Sequence, residues 1–451
     1  MPDRIKAQPT DGLSYNLTEP KYWERAGLDK EIDRVFDICQ SCRLCFNLCS
    51  SFPTLFEAVD AMADPDVRQL TPAQKTRVID LCYECKLCEV RCPYTPRDGH
   101  EFQLDFPRLM MRAKAVRAKE RGIGLREKML GNPDLVGRLG SKAPALANWG
   151  CSNKFNRLMM EKLLGIAREK IMPDLAARTF AAWLRKNPLP PEPDAPALKV
   201  ALFPTCFVNY YNPAPGIAAV EVFAKNNCAI KCPKQNCCGM PALDGGDADF
   251  AKREARANVE SMLQLVRAGY RIAAINPTCS LTMRKEYPNL LEGPEVREFS
   301  AAVADVHELL YEIRRAGKFN ADFRSTPVSV AYHVPCHLKA QRIGFRSRDL
   351  MRGIPGTEVA TVEACTAHDG SWAMKKEFFA LSMKLGRPAF DAMKEAGARV
   401  MATDCPLAAV QIEQGTGIRP IHPIEVLARA YRADGFPDPV TAPDPGSPKM
   451  P

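Results

Sequence analysis

The sequence predicts a multidomain α+β chain: an α-helical N-terminal domain, then two tandem α/β units built on mainly parallel sheets. Three observations carry this expectation. The chain has 451 residues, roughly two to four times the usual domain, so more than one core is expected. Eight of its eighteen cysteines fall between Cys39 and Cys92, within a stretch of helical pattern. Farther on, short apolar strands end just before a cysteine four times, and the intervals match between two halves. Cys206 to Cys237 is 31 residues and Cys336 to Cys365 is 29, while Cys237 to Cys279 is 42 and Cys365 to Cys405 is 40.

Composition sets the outer bounds. Hydrophobic residues at 46% and charged residues at 25% exclude a wholly disordered, collagen-like or membrane-embedded chain. The longest uncharged stretch, 200–220, contains Pro204, Asn209, Asn212, Pro213 and Pro215, which a spanning helix does not tolerate. The first residues are polar, without the apolar core of a secretory signal, so the expected compartment is the cytoplasm. A formal charge of +9 is mildly basic and does not imply nucleic acid. In a reducing compartment, clustered thiols point to metal ligands before disulfides.

In order along the chain, residues 1–30 form a polar lead-in and 31–186 an α-helical domain. Ile32, Val35, Phe36 and Cys39 fall at helical spacing and bring the chain into the first cysteine run. Thr71-Pro72-Ala73-Gln74 offers a cap, a first-turn proline and a capping-box glutamine ahead of the stripe Val78, Ile79 and Leu81. From Gln103 to about Phe180 helix dominates. The basic stretch Arg108 to Arg121 surrounds Leu109, Met110, Ala113 and Val116, and reads as a solvated face or as a docking surface for an acidic partner or anionic lipid. Five prolines between Asn187 and Pro196 make 187–198 an extended linker.

The two α/β units are then 199–325 and 326–432. Strands are expected at 199–203, 271–275, 328–332 and 399–402, with helices at 249–268 and 375–396. Loops after parallel strands meet at one sheet edge, so the cysteines that follow them can converge. The proline-rich tail 433–451 reads as disordered.

Cys39-x2-Cys42-x2-Cys45-x3-Cys49 and Cys82-x2-Cys85-x2-Cys88-x3-Cys92-Pro93 share the spacing of two-cluster ferredoxins. Three thiolates at three-residue spacing wrap one face of a 4Fe–4S cube, and the fourth, displaced, serves the other cube. Cys39, Cys42, Cys45 and Cys92 are therefore assigned to one cluster, and Cys82, Cys85, Cys88 and Cys49 to the other. Zinc sites prefer paired knuckles closed by four ligands, which two runs of four fit poorly. Ser50 follows Cys49 where proline often stands. Arg43, Lys86 and Arg91 lie among the thiols, where positive charge raises a cluster's potential or is simply surface charge.

The second cysteine set comprises Cys206, Cys237-Cys238-Gly239 and Cys279, then Cys336, Cys365 and Cys405. With the ferredoxin pair, Cys92-Pro-Tyr-Thr-Pro96, Asp105-Phe-Pro-Arg-Leu-Met-Met-Arg-Ala-Lys-Ala-Val116, Asn236-Cys-Cys-Gly-Met-Pro241 and Tyr332-His-Val-Pro-Cys-His337, this set resembles one family from about Ile32 to Ala430. It is the family of the C subunit of anaerobic glycerol-3-phosphate dehydrogenase, within the heterodisulfide reductase-like and glycolate oxidase iron–sulfur subunits with tandem cysteine-rich (CCG) domains. The resemblance implies a ferredoxin-like domain and two CCG domains related by pseudo-twofold symmetry, with thiols at their junction binding a further cluster or acting in redox chemistry.

Two departures bear on that junction. Cys279-Ser-Leu-Thr282 and Cys405-Pro-Leu-Ala408 each keep one cysteine where the family ends in Cys-x-x-Cys, and Cys365-Thr366-Ala367 replaces Cys-Cys-Gly. A five-thiolate non-cubane cluster is therefore not expected. A four-thiolate third centre on Cys206, Cys237, Cys238 and Cys279 remains a candidate, and the degenerate second half has Cys336, Cys365 and Cys405, with a histidine such as His368, as candidate zinc ligands. His333 and His337 also flank these cysteines, and Asp369 could orient His368. Cys151, Cys228 and Cys232 read as buried free thiols.

No nucleophile–base constellation, phosphate loop or dinucleotide fingerprint accompanies the thiols, and Gly245-Gly246 is too little for a nucleotide site. The expected function is electron transfer: from a flavoprotein dehydrogenase or other redox partner subunit, through two 4Fe–4S clusters, to a quinone or other acceptor. Any membrane contact would be peripheral, at the cytoplasmic face, with the helix near Arg108–Arg121 as its candidate surface. The alternative is a thiol–disulfide oxidoreductase using a centre in the CCG domains.

Overall fold

The computed structural model describes residues 15–436 apart from Asp369, together with Ile5, Gln8 and Pro9. Part of the expected lead-in, Asp369 and the tail beyond residue 436 lie outside the described residues.

The N-terminal region is helical. Helix α1 (Arg25–Cys42) buries Leu28, Ile32, Val35 and Phe36, so the apolar face expected from Ile32 onward begins one turn earlier. A buried ion pair, Glu31 with Arg34 at 2.6 Å, locks it, and Arg34 also donates to the Phe102 carbonyl at 3.0 Å. Helices α2 (Ser51–Asp60) and α3 (Pro72–Asp80) follow, and Thr71 and Gln74 make the expected capping box. The short α4 (Leu87–Arg91) and long α5 (Phe106–Arg121) complete the layer. Phe36, Phe52, Phe56 and Phe106 fill its core, with the rings of Phe52 and Phe106 4.7 Å apart.

Helix α5 corrects a sequence expectation. Phe106 to Val116 are buried except for half-buried Arg108, while Lys119 and Arg121 at the far end are exposed, so the basic stretch is solvated only at its end and its apolar stripe is not free to dock on lipid. Its first four cations turn inward to partners distant in sequence. Arg112 donates to the Tyr22 carbonyl at 2.7 Å, Lys114 to Asp244 at 2.7 Å, and Arg117 to Asp80 at 2.6 Å. Arg108 reaches the Lys285 carbonyl at 3.0 Å and lies 3.5 Å from Glu286. Arg108 and Lys114 fasten the helical region to the first α/β unit, and Arg112 and Arg117 brace the helical region itself.

Glu286 anchors that fastening. It is buried and pairs with Lys86 at 2.8 Å; burial opposes its charge, yet Lys86 and Arg108 hold its carboxyl down to about 2. A carboxylate whose folded pKa lies below its unfolded value of 4.5 stabilises fully above pH 4.5 and loses that contribution as pH falls toward 2. Glu286→Gln leaves buried Lys86 without its carboxylate partner and half-buried Arg108 with Asp105 alone, and a loss of about 3 kcal/mol is expected. It is read as a lowered thermal midpoint near neutral pH, with a shallower acid limb than the parent protein.

The α/β part contains two parallel sheets. In the first, β1 (Lys199–Phe203), β2 (Ala229–Lys231), β3 (Arg271–Ala274) and β4 (Val303–Asp305) are ordered β2-β1-β3-β4, with Ala201 opposite Ile272. In the second, β5 (Ser329–His333), β6 (Glu358–Val362) and β7 (Val400–Thr403) are ordered β6-β5-β7, with Ala331 opposite Met401. The shared order β2-β1-β3 and β6-β5-β7 is the structural form of the repeat in the sequence. One apolar core joins the two units, combining Val200, Leu202 and Phe223 with Val330, Tyr332 and Leu427.

Between helical region and sheets, α6 (Leu125–Gly131), α7 (Pro133–Gly140), α8 (Pro144–Ser152) and α9 (Lys154–Leu164) form a layer of unusual surface. Leu125, Leu146, Trp149, Phe155 and Leu163 are 66%, 65%, 60%, 68% and 74% exposed. Residues 125–186 also carry twelve Lys and Arg against five Asp and Glu, most of the chain's positive excess. No helix among the described residues is long and apolar enough to cross a membrane.

Gly246 accounts for the glycine pair. Its φ is +87°, and a Cβ there would lie 2.8 Å from the Lys114 carbonyl oxygen and 2.9 Å from the Ala118 Cβ. The pair is a close-approach point between α5 and the first α/β unit.

Candidate metal centres

The two cysteine runs fold into sulfur-lined hollows because each bends at a non-glycine residue in the left-handed region. Arg43 (φ 54°) follows Cys42, and Lys86 (φ 61°) follows Cys85, with Glu84 (φ 51°) adding a second bend to the latter run. Such conformations cost energy and persist where the surroundings impose them. Cys39, Cys42, Cys45 and Cys92 line one recess, walled by Phe52, Phe56, Tyr94 and Leu104. The Tyr94 amide donates to the Cys92 sulfur at 3.4 Å. Cys82, Cys85 and Cys88 gather with Cys49, each close enough for its charge to raise another's pKa.

All eight thiols are unpaired. Burial pushes Cys45 and Cys49 up to about 11, and Cys39, Cys82 and Cys88 well above the ordinary thiol value. Left to themselves they stay protonated at neutral pH. Sulfurs crowded by fours become thiolates when a cation takes them, so this donor set fits iron–sulfur clusters.

The cations among the thiols have separate fates. Arg43 is paired with Asp60 and lies over the Phe56 ring at 5.3 Å. Lys86 is paired with Glu286. Arg91 donates to Asn47 at 3.1 Å, and its charge lowers the pKa of Cys45 against the effect of burial. Of the three, Arg91 is the one placed to act on a cluster's potential. Glu84, buried between Cys82 and Cys85, is pushed by burial up to about 7 although Lys114 and Lys86 pull it down.

The second set of thiols meets in a cavity of about 350 Å³. Cys206, Cys279, Cys336 and Cys405 follow the carboxyl ends of β1, β3, β5 and β7, and Cys237-Cys238 and Cys365 follow β2 and β6. All seven line the cavity, with His368, Cys85 and Tyr83. Cys237 contacts both Cys206 and Cys238, and Cys238 contacts Cys279, so the first-half thiols form one connected group. Asp134 accepts the Cys237 amide proton, and Asn258 donates to the Cys237 carbonyl at 3.1 Å.

Gly239, after the paired cysteines, has φ +88° and would place a Cβ 3.3 Å from the Ala251 backbone. Ala367 takes the corresponding left-handed bend at φ 51°. The turn survives in the second half although one sulfur has become Thr366.

In that half the sulfurs pair off. Cys336 and Cys365 lie 3.9 Å apart, and Cys405 lies 3.6 Å from His368 Nε2. No three of these four bring ligand atoms within 4.8 Å of one another; among the described residues that grouping occurs only at Asp305, His307 and Asp404. His333 engages Thr403 at 3.0 Å and the Ala364 carbonyl at 3.2 Å. His337 spans Thr278 and the Glu84 carbonyl, both at 2.9 Å. Both are therefore fastenings, and His337 ties the second cysteine run to the sheet edges. His368 has no partner at Nδ1 among the described residues.

Three features escape sequence reading. The cavity wall from Met129, Val136 and Met160 comes from helices with no sequence signal of a site. Cys151 is at that wall, half-buried, and not a core thiol. Asp305, His307 and Asp404 are fully buried; burial disfavours the imidazolium, but the two carboxylates raise His307 to about 9. That ion pair joins the two sheets and sends Asp404 and Cys405 out from one strand end.

Comparison with known proteins agrees with this arrangement. Residues 38–95 match the 4Fe-4S dicluster domain, and 200–284 and 330–413 match the cysteine-rich (CCG) domain. The chain is 31% identical over 313 residues to the C subunit of anaerobic glycerol-3-phosphate dehydrogenase of Escherichia coli (strain K12), covering 68% of this chain and 77% of that one. It is 26% identical over 254 residues to the B subunit of the fumarate reductase (CoM/CoB) of Methanothermobacter marburgensis, covering 53% of this chain and 48% of that one. Lactate utilization protein A of Geobacillus thermodenitrificans is 27% identical over 191 residues, covering 40% and 75%. With the helical thiol run and the twin parallel sheets behind it, the chain belongs to the family of the anaerobic glycerol-3-phosphate dehydrogenase C subunit.

Proposed function

We propose that this iron–sulfur protein is the electron-transfer subunit of a dehydrogenase or reductase complex, passing electrons from a flavoprotein partner through two 4Fe–4S clusters to a quinone or other acceptor. Cys39, Cys42, Cys45 and Cys92 hold one cluster, and Cys49, Cys82, Cys85 and Cys88 the other. When bound, such clusters supply reversible one-electron transfer. The chain supplies the thiolates, a hydrophobic wall that excludes water, and the cationic bias of Arg91. The observation that carries the reading is the grouping of eight unpaired thiols in two sets, the second of which opens on the sulfur-lined cavity. Relatives named as subunits of a glycerol-3-phosphate dehydrogenase and of a fumarate reductase support redox partner subunits.

The alternative, a thiol–disulfide oxidoreductase centred on the CCG domains, draws support from the seven thiols around that cavity. For a peripheral membrane contact, the exposed apolar residues and excess cations of α6–α9 suit an anionic lipid surface, and α5 does not. Anaerobic isolation of the native complex through a tag on this chain tests the main reading. A flavin-bearing chain should co-purify, and its substrate should bleach the iron–sulfur absorbance. A chain that emerges without a flavoprotein, and whose absorbance no dehydrogenase substrate bleaches, would count against it.

A further inference from the structure

We propose that Cys336 and Cys365 form a redox-active dithiol beside the second cluster site, closing to a disulfide and reopening as electrons pass. The degenerate half of the repeat has on this view exchanged a metal ligand set for a two-electron sulfur couple.

The sulfurs already stand near one another. The two Sγ atoms are 3.9 Å apart, against about 2.05 Å in a disulfide, so rotation of two side chains closes the gap. Both face the cavity, which leaves them room to turn. The other candidate ligands of this half are engaged with each other, since Cys405 lies against His368. The second thiol of the motif has become Thr366. What remains is a pair.

That pair is wired to the ferredoxin-like region. The Cys336 thiol lies close to Cys85 as well as to Cys365, near enough for each to shift the other's pKa. Tyr83, in the same cysteine run, places its hydroxyl 3.7 Å from the Cys365 sulfur, and the Ala367 amide donates to that sulfur at 3.3 Å. His337, next to Cys336, holds the Glu84 carbonyl at 2.9 Å, so the second run is bound to the strand end that carries the pair.

The chemistry balances as a two-electron oxidation. Two S–H bonds break, one Sγ–Sγ bond forms, and two protons leave through the cavity. The two electrons depart one at a time to one-electron acceptors, the class to which iron–sulfur centres belong; reduction reverses each step. Such a pair stores two electrons beside carriers that take one, which suits exchange with a two-electron donor or acceptor. This inference rests on the reading of Cys85 as a cluster ligand.

The test uses the full-length holoprotein, purified anaerobically and poised either oxidised with thionin or reduced with dithionite. Each sample is quenched with iodoacetamide under denaturing conditions and digested with trypsin. The peptides 325–339 and 353–375 each contain a single cysteine. The oxidised sample should yield them joined and lighter by two hydrogens, the reduced sample should yield both alkylated, and the joined fraction should follow potential with a two-electron slope. Cys365→Ser should abolish the joined peptide without lowering the iron content. Alkylation of both cysteines in both states, or loss of iron or zinc from Cys365→Ser, would overturn the proposal. The iron content of the parent protein reports separately on the cluster reading, so the two can fail independently.

Discussion

Cys82→Ala is expected to lower bound iron from about eight to about four per chain and to reduce electron throughput from the partner dehydrogenase at least about 100-fold. Cys82 is buried, and in addition to burial its charge environment is set by Glu84, Lys114 and Cys49. It is a member of the second set and lies outside the recess lined by Cys39, Cys42, Cys45 and Cys92. Removing one of four thiolates opens a coordination position in the second set. The first set should keep its iron. Cys228→Ala is the matched control, a buried thiol packed among Phe223 and Ile230 in the apolar core; it should leave the iron unchanged. Iron and sulfide assays with a dye-linked reduction assay check both variants. Equal iron in Cys82→Ala and the parent would contradict the ligand assignment.

The second large effect concerns the surface of α6–α9. Replacing Trp149, Phe155 and Leu163 together by glutamate should lower binding to vesicles rich in phosphatidylglycerol at least about 10-fold, through lost apolar insertion and added repulsion. These side chains are 60%, 68% and 74% exposed, so the fold has little to lose. Co-sedimentation of the iron-loaded protein measures it. Binding should weaken as salt rises, since screening reduces the pull of lysine and arginine on anionic lipid. Undiminished binding of the triple variant would remove α6–α9 from the membrane reading.

Much of the fold could be read from local pattern. The Thr71–Gln74 cap, the strands before Cys206 and Cys279, and the long helices 248–267 and 376–395 arise from signals carried within a dozen residues. Strands β5 and β7 sit one residue later than expected, because buried parallel strands are apolar on both faces and lack an alternation to mark their ends. The short β2 and β4 were invisible for the same reason. They are three residues each, and pairing with β1 and β3 defines them.

The fate of α5 was beyond local pattern. Lys114 and Arg108 look solvated until Asp244 and Glu286, more than a hundred residues away, are brought to them. The candidate site divides along the same line. The eight ferredoxin-like cysteines are recognisable because ligand spacing is a local property. The convergence of Cys85 on Cys336 and Cys365, and the apolar wall supplied by α6–α9, are products of topology and have no signature in any one segment.

The central claim is that eight thiols near the front of the chain hold two 4Fe–4S clusters. The most direct measurement is iron and acid-labile sulfide per chain together with electron paramagnetic resonance of anaerobically purified, dithionite-reduced protein. The expected result is about eight irons and eight sulfides with two interacting paramagnets of the reduced cubane type. Colourless protein with stoichiometric zinc and no paramagnetic signal would contradict it.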